Sequence, residues 1–168
     1  MSSSLSFQLG SLRSSLLVLM TGLVCALTGD ATAELSLDVG ASSGSSNGVS
    51  VSEMHVGVNA HFGDFLTWRN SGFARFQTGV ENVFGLDTSL RLGLDVGDES
   101  MSFSAFAGPG WRFVSKGTSA PIVEGGLGFR AGGLHIGGGA KVILNSLAVS
   151  GASNETQYFI TFAGGTKL

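Results

Sequence analysis

Few residues in this sequence are of a type that does chemistry. His55, His61 and His135 are the candidates for metal ligands or a general base. His55 and His61 lie on one face of a single extended segment, separated by about 20 Å at the rise of a strand, so they cannot share one ion. Zinc needs three or four converging ligands, and no metal set is assigned. A serine nucleophile requires a histidine within hydrogen-bond reach. No local His-x-Ser element exists, so no catalytic residue is assigned either. The run Gly126-Leu127-Gly128-Phe129-Arg130-Ala131 superficially matches a dinucleotide fingerprint. Its glycines sit in an alternating strand with no helix after them to face a pyrophosphate, and no cofactor is expected. What remains is charge: Asp38, Arg75, Arg91, Asp95, Arg112, Glu124 and Lys141 all fall on the same side of alternating segments.

The elements that carry these charges follow from composition and period. The chain has 168 residues, 43% hydrophobic and only 12% charged, with 27 glycines. Soluble domains carry about 25% charged residues, so this surface is not built to meet water everywhere. The net charge of -3 and the lack of a basic cluster exclude a nucleic-acid grip. Arg13, the apolar run from Leu16 to Leu27 and the small-residue site Ala31-Thr32-Ala33 predict a signal peptide over 1–33, cut after Ala33. That leaves one domain, 34–168. The apolar run is shorter than the ~20 residues of a spanning helix. The sole cysteine, Cys25, lies in this leader, where Gly22, Leu23 and Val24 fit a lipoprotein signal poorly.

From Glu34 the period is two, which predicts antiparallel strands over 34–43, 49–62, 65–79, 86–96, 101–114, 121–131, 134–145 and 156–168. One face reads Leu35, Leu37, Val39; Met54, Val56, Val58; Leu90, Leu92, Leu94, and so on through Tyr158, Ile160 and Phe162. The other face holds the charges and many glycines, among them Gly40, Gly57, Gly93, Gly126, Gly128, Gly137, Gly139 and Gly165. Between Val51 and Met54 the phase slips, which predicts a bulge. Tight links at 63–64, 97–100 and 132–133 alternate with looser ones at 42–48, 80–85, 115–120 and 146–155. Glycine covers a solvent-facing sheet poorly, yet makes room for Arg and Lys inside a narrow barrel. The apolar face therefore points out, with Trp68, Trp111, Phe113 and Tyr158 as membrane-interface aromatics. The fold class is all-β, an eight-stranded antiparallel up-and-down transmembrane β-barrel.

This signal peptide, eight amphipathic strands with alternating connections, and a last strand from Tyr158 to Leu168 resemble the small bacterial outer-membrane barrels of the OmpX and OmpA membrane-domain type. The chain departs from them in ending on Leu168 and not on an aromatic residue. The resemblance implies the outer membrane as location, its lipid as surroundings and the barrel-assembly machinery as a biogenesis partner. It implies no cofactor, and the oligomeric state stays open. Eight strands leave a lumen that side chains fill, so Asp38, Asp95 and Glu124 are expected to pair with Arg75, Arg91, Arg112 and Lys141, because buried charge must be compensated. The expected function is a non-enzymatic structural or surface-interaction barrel of the cell envelope. The alternatives are a narrow channel for small solutes and a soluble secreted barrel binding an apolar ligand.

Overall fold

The computed structural model describes residues 34–46, 48–63, 65–98 and 100–164. The expected leader with Cys25, its cut after Ala33, and Gly165, Lys167 and Leu168 lie outside the described residues. Eight strands run in chain order: β1 (Glu34–Ser46), β2 (Val49–Phe62), β3 (Leu66–Gln77), β4 (Val83–Gly97), β5 (Met101–Val114), β6 (Ala120–Ala131), β7 (Leu134–Ile143) and β8 (Glu155–Gly164). Each pairs antiparallel with the next. β1 closes the ring on β8, from Leu37 opposite Gly164 to Ser45 opposite Thr156. Among the described residues the sheet thus closes on itself, and closure is what removes the edges of a β-structure.

Two expectations are corrected. The segment 42–48 reads as a loop because it is rich in Ser and Gly, yet β1 continues to Ser46 and the link is only 47–48, with Gly48 at φ 78°. The ladder against β2 on one side and β8 on the other carries those serines as strand. The Asn47-Gly48 dipeptide is the two-residue hairpin signal that outweighs loop-like composition. The other links on that end, 78–82, 115–119 and 144–154, are looser than 63–65, 98–100 and 132–133 on the opposite end. We call these the loop end and the turn end. At the turn end, Asp98 Oδ1 accepts from the Ser100 hydroxyl (2.6 Å) and from the backbone N–H groups of Ser100 (2.8 Å) and Met101 (2.9 Å), which hold its carboxyl below the usual range.

The second correction concerns the bulge. Pairing is unbroken along β2 on both sides, from Glu34 opposite His61 to Ser46 opposite Val49 and from Val51 opposite Gln77 to Phe62 opposite Leu66. Val51 simply points inward and is buried. Towards the loop end the lumen turns apolar: Ala120, Ile122 and Ile143 pack together beneath a single helical turn, α1 (Asn145–Ala148), with Ala148 against them. A hydrophobic residue on the inward face thus marks a change of layer, without an extra residue in the ladder.

Accessibility alternates as the sequence does, with the sign inverted relative to a water-soluble barrel. Leu94 and Val96 are each 73% exposed and Leu127 69%, while Glu53, Asp87, Arg112 and Gln157 are buried. Glycine makes the interior possible. A Cβ on Gly57 would stand 2.6 Å from Asp38 Oδ2, and one on Gly126 would stand 2.9 Å from Phe106 Cζ. Gly57→Val is therefore expected to destabilise the barrel by about 1–3 kcal/mol through overpacking, read as a lower urea midpoint. Gly133→Ala, where a Cβ meets nothing within 4 Å, should leave the midpoint unchanged. Equal midpoints for the two variants would show that the lumen has room to spare.

Candidate functional site: the charged lumen

Every second residue of each strand points into the lumen, so a charged residue buried at mid-barrel has no water to retreat to and must find a partner on another strand. Glu53 on β2 is the hub. Its Oε1 accepts from Arg75 Nε (2.7 Å), Arg112 Nη1 (2.8 Å) and Gln157 Nε2 (2.7 Å), and its Oε2 accepts from Arg112 Nη2 (2.8 Å). Lys141 Nζ lies 3.6 Å from Oε2. Arg112 also forks onto Asp87, at 2.7 and 2.8 Å, and Lys141 donates to Asp87 at 2.7 Å. Arg75 reaches Glu155 at 2.6 Å, and Gln157 joins Glu155 at 2.6 Å. The result is three carboxylates, Glu53, Asp87 and Glu155, against three cations, Arg75, Arg112 and Lys141. Fork-shaped Arg–carboxylate pairs are the strong kind.

A second, smaller group lies nearer the turn end. Arg69 forks onto Asp38 at 2.7 and 3.0 Å, and Asn59 donates to the same carboxylate at 2.9 Å. Arg91 Nε donates to Glu124 at 2.7 Å, and the Ser89 hydroxyl also donates to Glu124. This group holds two carboxylates and two cations. Arg75–Glu53 and Arg112–Asp87 join adjacent strands, but other pairs join strands that are not neighbours: β5 to β2, β7 to β4, β3 to β8 and β6 to β4. Aromatic rings fill the remaining space, with Phe73 under the Arg112 guanidinium at 4.0 Å and Phe106 under Arg91 at 4.4 Å. Phe159 stands 6.3 Å from Phe106.

Of the seven charges expected here, Asp38, Arg75, Arg91, Arg112, Glu124 and Lys141 sit in these groups. Asp95 is exposed and makes no ion pair among the described residues. Glu53, Asp87, Glu155 and Arg69 were not in the expected set. Glu53 stands where the alternation looks interrupted, Asp87 sits beside the segment 80–85 that reads as a loop, and Glu155 falls inside the expected link 146–155, whereas β8 begins with it. Following the two-residue period outward, through 53-55-57-59, 87-89-91 and 155-157-159, is the signal that places them.

The histidines have specific surroundings. His55 Nε2 is 2.9 Å from Ser42 Oγ, and the Ser42 hydroxyl donates to Gln157 Oε1 at 3.1 Å. The one Ser42 proton is thus engaged, His55 is the donor, and this serine is not activated as a nucleophile. Glu53, His55 and Asp87 bring one ligand atom each within 4.8 Å of one another. The two carboxylates already accept from Arg75, Arg112 and Lys141, so a metal ion would have to displace those cations. At the turn end Ser36 Oγ lies 2.9 Å from His61 Nε2, and His61 Nδ1 lies 3.0 Å from Thr67 Oγ1. This serine–histidine contact joins residues far apart in sequence, which a search for a local His-x-Ser element does not detect.

Removing one member of the larger group leaves the others buried and unbalanced. Glu53→Gln is expected to lower stability by about 3–5 kcal/mol, measured as a shift in denaturant midpoint, whereas Asp95→Asn, at an exposed position, should leave it within error. A neutral outcome for Glu53→Gln would mean that water reaches and screens the hub.

No family model and no curated protein matches the sequence. Solved structures match its fold. The outer membrane enzyme PagL superposes with a TM-score of 0.60 at 13% identity, over 77% of this chain and 99% of that one. Neisserial surface protein A gives 0.56 at 8% identity, over 81% and 97%. A de novo designed transmembrane β-barrel gives 0.54 at 13% identity, over 77% and 93%. At these identities the likeness shows the fold, and the chain has the closed eight-stranded antiparallel fold of the small outer-membrane β-barrels.

Proposed function

We propose that this chain is a non-enzymatic β-barrel of the bacterial outer membrane, exported by a cleaved signal peptide, with a structural or surface-interaction role and a lumen closed to solutes. The observation that carries the reading is the set of ion pairs crossing the lumen at two levels, since a passage for solutes would need those groups apart. The outward belt of Leu37, Val39, Val56, Leu92, Leu94, Val96, Leu127 and Ile160 supports insertion, because lipid is the solvent in which that face is stable and a closed barrel pairs its strands internally. A soluble carrier of an apolar ligand would need an apolar cavity, and this interior is occupied by carboxylates and guanidinium groups. Outer-membrane lipid and the barrel-assembly machinery are the partners this reading requires.

Two experiments test it. The purified chain should float with lipid vesicles and show no steady conductance in planar bilayers; open, stable channels in the unmodified protein would replace this reading with the channel. Val58→Arg and Leu92→Arg should each destabilise the vesicle-inserted barrel by about 2–4 kcal/mol if those positions face mid-membrane hydrocarbon. Tolerance of Arg at both positions would mean that they do not.

A second reading, a serine hydrolase, is favoured by one contact, Ser36 with His61. Labelling of Ser36 by a fluorophosphonate, lost in His61→Ala, would support it. An unlabelled Ser36 leaves the contact as a hydrogen bond lining the turn end.

A further inference from the structure

We propose that the seam between β4 and β5 is a lateral gate between the lumen and the membrane, held shut by two side chains that strap β4 to Glu124 on β6. The inference rests on the membrane reading above, and the opening is sideways, so the axis of the barrel stays closed. Every other described ladder is continuous. The ladder of β4 with β5 runs from Gly85 opposite Val114 to Ser89 opposite Gly110 and resumes at Leu92 opposite Ala107, which leaves Leu90 and Arg91 without their partners on β5, Pro109 and Gly108. Proline is the cause. Antiparallel partners alternate between pairs that exchange both hydrogen bonds and pairs that exchange none. The Ser115 N–H donates to the Phe84 carbonyl at 2.8 Å, which places Leu86 with Phe113, Thr88 with Trp111 and Leu90 with Pro109 in the bonded set. Pro109 has no N–H to give, so the Leu90 carbonyl loses its ladder bond within the belt, where lipid offers no substitute.

The wall is thin at the same place. Gly108 and Gly110 face the lumen without side chains, and a Cβ on Gly108 would collide with the Leu90 carbonyl. Outside, a depression of about 460 Å³ between Trp68 and Trp111 reaches Leu90, Pro109 and Gly110, so the belt is hollow over the seam. What spans the seam lies inside. Arg91 Nε donates to Glu124 Oε1 at 2.7 Å, and the Ser89 hydroxyl donates to the same oxygen. Ser89 and Arg91 flank Leu90 on β4, whereas Glu124 stands on β6 opposite Gly108. Both straps therefore cross β5 over its glycines and take up the restraint that the ladder has lost there. A joint held by side chains in place of ladder bonds opens ahead of the rest of the sheet, as a local opening of low free energy.

Belt amides exchange with water only when the sheet opens, so the test is hydrogen exchange read amide by amide by NMR on the full chain in lipid bilayers. Leu92 and Ala107 close the ladder beside the gap. Gly125 and Ala140 continue the same row across β6 and β7 in an unbroken ladder, and the Leu144 N–H donating to the Pro121 carbonyl makes them a bonded pair too. Leu92 and Ala107 are expected to exchange about tenfold faster than Gly125 and Ala140, and Pro109→Ala, which restores the missing N–H, should remove most of that difference. Glu124→Gln should speed Leu92 and Ala107 several-fold further relative to Gly125 and Ala140. Heat-modifiable migration on a gel checks that each variant is a folded barrel; if Glu124→Gln is not, Ser89→Ala, which leaves Arg91 paired, should show the same direction. Equal exchange of the two pairs in the unmodified chain overturns the gate, as does a folded Pro109→Ala chain that keeps the fast rate. Strap variants that fold and exchange at the unmodified rate overturn it as well, because the seam then frays without reference to Glu124. A chain that does not float with lipid vesicles defeats the membrane reading. One that floats and exchanges evenly at both pairs defeats the gate alone.

Discussion

The structure depends on one constraint, that a carboxylate taken out of water must be given its counter-charge by the fold. Glu53 is the clearest instance. It meets two guanidinium groups, an ammonium and an amide drawn from β3, β5, β7 and β8. A pair of that kind between adjacent strands would stabilise one hairpin. Pairs that reach across the barrel tie together hairpins that share no ladder, so closure of the sheet and neutralisation of the interior are one event. Breaking such a pair costs more than it contributes when intact, because the orphaned charge remains buried. The interior thus specifies one arrangement of the strands more sharply than an apolar filling would.

The glycines and aromatic rings serve the same constraint from the side of volume. Long Arg side chains need both length and a wall to lie against, and eight strands enclose little space. Gly57 gives the Asp38 carboxylate its position, and Gly126 gives Phe106 its position; Phe106 then supports the face of the Arg91 guanidinium. Small residues on one wall thus correspond to large ones projecting from another. This is why glycine is frequent in strands that it would otherwise weaken.

Much of this was legible in the sequence because period two is an unusually direct signal: it fixes which residues share a face, and charge with glycine on one face against Leu and Val on the other separates lumen from belt. Asp38, Arg75, Arg91, Arg112, Glu124 and Lys141 were found that way. The failures have a common cause. Alternation is a clear signal only where the belt side is apolar, and towards the loop end the belt gives way to Ser50 and Ser52 while the lumen takes up Val51. Glu53, Asp87 and Glu155 were lost in that change of layer. Partners were beyond reach on different grounds, since the pairing of Arg75 with Glu155 or of Ser36 with His61 depends on strand register and barrel curvature, and neither is written in local sequence. Phe73, Phe106 and Phe159 were missed because a hydrophobic ring on the polar face looks like noise until the guanidinium above it is seen.

The composition of the two charged groups has an electrical consequence. One holds three acids and three bases, the other two and two, so each is neutral as a unit. A voltage across a membrane acts on a charge with about 2.3 kcal/mol per elementary charge per 100 mV, and this is the force that drives gating segments in channels. On a neutral cluster the forces on its members cancel, and only the small dipole along the barrel axis is left to respond. Each of the two groups is therefore electrically inert as well as sterically occupied: a change in potential or in surface charge on either side of the sheet finds no net charge in them to pull upon.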